Sequence, residues 1–176
     1  YHFLGEHNFA AYLLGQLCIL IGFIFIYKLA KFFMDKEKAM CASMLLSSCY
    51  YYTYIVIIDN FNCNFLSMAL WPMIAYFFFK SIKKERTVDW ILFGVSCALG
   101  VLCKYQVIFL YLALFIYLIL CEREQFKKKS MYLAVLTGSL IILPHVIWLF
   151  QTDFFSFIYM AGRTELGAHN TPQFLI

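Results

Sequence analysis

The chain has 176 residues, of which 64% are apolar and 14% charged, with a formal net charge of +4. Soluble domains are about half apolar and about a quarter charged, so a water-soluble globular domain is excluded. Nucleic acid is not an expected partner either, because the basic residues sit in short clusters between apolar runs rather than along one face.

The chain opens at Tyr1, with Glu6, His7 and Asn8 ahead of the first apolar run. No Lys or Arg precedes Lys28, so the basic leader of a secretory signal is missing. A start without Met and an end at Ile176 with no stop signal lead us to expect a fragment of a longer protein. The first apolar span is expected over Ala11–Phe33, closing in Lys28, Lys31, Lys36 and Lys38. The second, Ala39–Ile58, ends at the polar loop Asp59-Asn60-Phe61-Asn62-Cys63-Asn64. The third, Phe65–Phe79, runs into Lys80, Lys83, Lys84 and Arg86.

Taken as one helix, Trp90–Cys121 would be about 48 Å long, against about 30 Å of hydrocarbon in a bilayer. A hairpin is therefore expected, with a fourth span from Trp90 to Lys104, a turn at Cys103-Lys104-Tyr105-Gln106, and a fifth over Val107–Leu120. The sixth span is Met131–Phe150. The predicted fold is all-α, a polytopic membrane bundle of about six transmembrane helices over residues 1–151. Residues 152–176, where Asp153, Arg163, Glu165, His169 and Asn170 alternate with aromatics, are expected to lie along the non-cytoplasmic membrane surface.

Of the 14 Lys and Arg residues, all but Lys104 and Arg163 fall in three alternate loops. The positive-inside rule assigns those loops to the cytoplasm, so Asp59, Lys104 and the segment after Gln151 face the other side. Aromatic residues, 20% of the chain, read first as interfacial belts and second as sugar-stacking surfaces. The seven cysteines contain no CxxC pair and read as small packing residues.

Few ionisable groups lie on the non-cytoplasmic side. Asp59 has two readings: a cap for the third helix, or a carboxylate that orients an acceptor, binds a metal or supports a catalytic base. Lys104 defies the charge rule in a short turn; it either snorkels to the headgroups or neutralises the phosphate of a lipid-linked substrate, with Tyr105 adding a hydroxyl. Arg163 is a second off-side cation, for a phosphate or for Glu165. His145, next to Pro144 within the sixth span, reads as packed or interhelically bonded before it reads as a base. No spacing is as specific for a metal as HExxH.

Several runs resemble one enzyme family in order along the chain. They are Leu4-Gly5-Glu6-His7-Asn8-Phe9-Ala10 with Tyr27-Lys28-Leu29-Ala30-Lys31-Phe32-Phe33, then Asp59 before Phe65-Leu66-Ser67-Met68-Ala69-Leu70. Gly94 to Tyr105, and Pro144 to Trp148 with Asp153-Phe154 and Ser156-Phe157, continue the match. Together they resemble the polyprenyl-phosphate-sugar-dependent glycosyltransferases of family 39, which include protein mannosyltransferases and the lipid A aminoarabinose transferase.

The resemblance implies a GT-C fold that moves a sugar from a polyprenyl-phosphate carrier to a lipid, glycan or protein acceptor at the outer face, in a bacterial inner membrane with a periplasmic active face. By that likeness Asp59 is the candidate catalytic carboxylate present, in a supporting role, since the family's principal acidic residue lies upstream of Tyr1. Lys104, Tyr105, Arg163 and Glu6 are candidate substrate contacts. The cofactor is left open, a divalent metal being one candidate, and the fragment alone is expected to be inactive. A secondary transporter or channel subunit is the alternative, disfavoured because Asp59 and Lys104 stand at span ends rather than near the midplane.

Overall fold

The computed structural model describes residues 9–49, 52 and 62–154. Among the described residues there are six α-helices and no strands: α1 (Phe9–Ala30), α2 (Lys36–Leu45), α3 (Cys63–Lys84), α4 (Thr87–Cys103), α5 (Ile108–Cys121) and α6 (Lys129–Gln151). Residues Ala10–Ala30, Cys63–Lys84 and Lys129–Gln151 are each long and apolar enough to cross a bilayer. Thr87–Cys103 and Tyr105–Cys121 are shorter apolar segments, about 26 Å each, at the lower limit for a span. The expected all-α membrane bundle is the fold observed.

The predicted hairpin turns where the length argument placed it. Helix α4 stops at Cys103, Lys104 is extended, and a 3-10 turn over Tyr105–Val107 leads into α5. The second predicted span differs. Helix α2 ends at Leu45, a 3-10 turn follows over Leu46–Ser48, and Cys49 is extended. Ser43, Ser47 and Ser48 each donate to the carbonyl three residues back, a local bond that competes with continued helix. Apart from Tyr52, the remainder of that predicted span lies outside the described residues.

Residues Tyr1–Ser139 form one compact unit and Leu140–Ile176 another, with α6 beginning in the first and ending in the second. In the first unit α1 and α3 run parallel. Gly15 lies against Phe65, Gly22 against Met68 and Ala69, Phe25 against Tyr76 and Phe77, and Lys83 donates to the Phe32 carbonyl at 2.8 Å. Cys18, Ile19, Phe65, Met68 and Ala69 form the core of this contact. Helices α3 and α4 are antiparallel, bringing Lys80 to Asp89 at one end and Ser67 to Cys103 at the other. A second core joins Ile74, Phe78 and Ile82 of α3 to Trp90 of α4, Leu114 and Leu118 of α5 and Ala134 of α6.

Gly94 of α4 faces Ala134 and Gly138 of α6 so closely that a Cβ at Gly94 would overlap the Ala134 carbonyl. Such small-residue contacts suit a bilayer, where packing rather than exclusion of water drives helices together. The opposite faces expose Leu13, Leu17, Leu20, Leu112, Phe115 and Ile116, side chains that lipid solvates.

In the second unit, His145 stacks on Trp148, three residues further along the same helix, with ring centroids 5.6 Å apart. The Thr152 hydroxyl donates to the Trp148 carbonyl at 2.9 Å as the helix ends.

Candidate functional site

The three basic segments meet at one end of the first unit. Lys80 pairs with Asp89 at 2.6 Å, Lys128 pairs with Glu85, and Lys83 reaches α1. Helix α3 supplies Lys83 and Lys84 in its last turn, where cations favour the negative end of the helix dipole. Its chain then reverses through Glu85, which adopts the left-handed conformation at φ 53°. Asp89 is 3% exposed in the first turn of α4, where a carboxylate meets the positive dipole end. Sequence reading passed over Asp89 because its burial depends on the α3–α4 hairpin closing around it.

Lys104 lies at the other end. Its backbone N–H donates to the Gly100 carbonyl at 2.9 Å and its own carbonyl accepts from Val107 at 3.2 Å, so the break in the helix is itself pinned. Its Nζ donates to Oδ1 of Asn64 at 2.8 Å, across 40 residues of sequence. Asn64 is fixed in turn. Asn62 is the N-cap of α3, and its side chain accepts the Asn64 backbone N–H at 2.8 Å. The cap role entertained for Asp59 therefore belongs to Asn62. The Cys103 thiol donates to the Cys63 carbonyl at 3.2 Å, tying the same two helix ends together.

Lys104, Asn64, Ser67 and Gln106 share a surface cavity of about 280 Å³ with Tyr52, Met68 and Trp71. The lining offers an ammonium, amides and hydroxyls together with an indole and a thioether. Lys104 turns into this cavity edge rather than snorkelling free. Tyr105, expected beside it, is half-buried and is not among the described residues lining the cavity; Gln106 takes that place. Asn64, Ser67, Trp71 and Gln106 escaped the sequence reading, since a single amide or indole at a span end carries no signal. The Asn-rich run Asn60, Asn62, Asn64 was the available clue.

Asp59, Glu6 and Arg163, with His7, Glu165 and His169, lie outside the described residues. Among the described residues, no group of three or more His, Cys, Asp or Glu side chains is placed to hold a metal ion.

A bundle of apolar helices, three of them long enough to cross a bilayer, with basic segments at one end, defines an integral membrane protein. The chain belongs to the dolichyl-phosphate-mannose-protein mannosyltransferase family, whose sequence profile matches residues 1–148. Its class of activity is accordingly that of a membrane glycosyltransferase. No curated protein and no solved structure matches the chain.

Proposed function

We propose that the protein transfers a sugar from a polyprenyl-phosphate carrier to a hydroxyl of a lipid, glycan or protein acceptor, and that the cavity at Lys104 receives the phosphate end of the donor. The observation carrying this is Lys104 itself, an ammonium at a cavity edge on the end of the bundle opposite the basic loops. By the positive-inside rule that end faces away from the cytoplasm, which is the periplasm if the membrane is a bacterial inner membrane.

Transfer breaks the bond between the sugar's anomeric carbon and the phosphate oxygen, leaving negative charge on the departing phosphate. Lys104, held in partly buried surroundings, stabilises that charge more than a lysine in open water would. Trp71 and Met68 offer apolar surface to the isoprenoid chain beside the phosphate, and Ser67 and Gln106 offer hydrogen bonds to phosphate or sugar. The acceptor hydroxyl must lose a proton as the new bond forms, a task for a carboxylate. Asp59, five residues before Asn64, is the supporting candidate in this chain. Arg163 and Glu6, which the positive-inside rule puts on the same side of the membrane, and Tyr105, outside the described cavity lining, are proposed as further substrate contacts.

Transfer of radiolabelled sugar in membranes carrying the full-length protein tests the reading, with Lys104→Ala and Asp59→Asn compared at matched expression. Loss of transfer in both supports it. Native membranes that transfer from no polyprenyl-phosphate donor, or a Lys104→Ala variant as active as the native protein, would overturn it.

A further inference from the structure

We infer that Asn64 is a positioning residue for Lys104, holding the ammonium at the cavity through a neutral acceptor so that its charge stays available to an anionic ligand. The inference rests on the proposed function and extends it to a residue 40 positions away from the lysine.

The contrast among the lysines of this bundle carries the argument. Lys80 and Lys128, which also reach across from one segment to another, end on carboxylates, Asp89 and Glu85, which neutralise their charges where they sit. Lys83 also crosses to a neutral acceptor, the Phe32 carbonyl at 2.8 Å, but it lies at the basic end and does not line the cavity. Among the described residues Lys104 has no carboxylate within ion-pair distance, and its cross-helix partner is an amide oxygen at 2.8 Å. An amide satisfies one of the three ammonium donors and, being neutral, does not itself cancel the positive charge. A carboxylate in the same place would hold the lysine more strongly and cancel the field it presents.

Both partners are fixed by their own backbones. Asn64 is held through the Asn62 cap, and Lys104 through its bonds to Gly100 and Val107. The side chains thus meet over a short gap between two pinned helix ends. Both also line the cavity. A lysine tethered in this way loses less side-chain freedom when it binds phosphate than an untethered one.

The experiment uses the full-length protein with Asn64→Asp, Asn64→Ala and Lys104→Ala, purified in micelles and also assayed in membranes. The probe is tritiated undecaprenyl phosphate, with thermal unfolding recorded for each variant. Asn64→Asp keeps the shape and the bond to Lys104 but adds the cancelling charge, so it should weaken probe binding by about tenfold or more and raise the donor KM. Asn64→Ala should weaken binding about threefold to tenfold, which measures the tether alone and stands if the aspartate variant does not fold. A purely structural asparagine would lower the unfolding temperature while leaving the affinity of the folded protein unchanged. Lys104→Ala impaired, with both Asn64 variants binding as the native protein does, would overturn the inference and leave the proposed function standing. Lys104→Ala binding the probe as tightly as the native protein would overturn the proposed function itself.

Discussion

Lys80 Nζ and Asp89 Oδ1 stand 2.6 Å apart across the α3–α4 turn, with the carboxylate almost wholly buried and the ammonium over the rings of Tyr76 and Phe77. The pair fastens the hairpin from inside. Removing one partner strands a buried charge, which costs about 3–5 kcal/mol, whereas replacing both by apolar residues is close to neutral. Lys80→Met should therefore destabilise the protein strongly, and Lys80→Met with Asp89→Leu should regain most of the loss. Unfolding curves of the three proteins in one detergent check this; a double variant no more stable than the single one would mean that the loss does not come from the stranded Asp89 charge.

The glycines of α4 should rank in a definite order. A Cβ at Gly94 meets the Ala134 backbone, which cannot move without shifting α6, whereas at Gly100 it meets the Tyr111 hydroxyl at 2.8 Å and the end of Ile74 at 2.9 Å. Side-chain ends can rotate away. Gly94→Ala is expected to cost more stability than Gly100→Ala, with about 1–3 kcal/mol typical of overpacking. Gly100→Ala should also loosen the Tyr111 bond to the Cys97 carbonyl. Thermal unfolding of the two variants side by side decides the order.

Glu85 takes the left-handed backbone conformation at the end of α3, where its N–H donates to the Ser81 carbonyl. Glycine occupies that conformation freely and alanine does not. Glu85→Gly should exceed Glu85→Ala in stability by about 1 kcal/mol. Both lose the ion pair with Lys128, so the difference isolates the backbone. Equal stability of the two would show that the turn relaxes.

Cys63 and Cys121 are both exposed, and they sit at opposite ends of the first unit. With each as the sole cysteine, a membrane-impermeant maleimide added to intact cells should label Cys63, and should label Cys121 only after permeabilisation. The reverse pattern would invert the assigned orientation.

The hairpin was legible because length is a hard limit: 32 residues of helix cannot fit a bilayer, and Lys104 marked where the chain leaves it. The site was legible only at its charged member. An ammonium outside the basic clusters stands out in a sequence, but Asn64 is one polar residue among several in a polar loop. Its meaning arises from the antiparallel packing of α3 and α4, which sets residues 40 apart face to face. Asp89 was hidden for the same reason. The break at Cys49 was missed because Met44-Leu45-Leu46 reads as continuous helix, while the serines that follow satisfy carbonyls locally.

The cross-links among the described residues differ in kind between the two ends. Two ion pairs and the Lys83 bond gather at the basic end, whereas the Lys104 end has the bonds from Lys104 to Asn64 and from Cys103 to Cys63 and the contact of Ser67 with Cys103. Among the described residues, the fastenings that join one charge to another therefore lie at the basic end, and those beside the cavity end on uncharged acceptors.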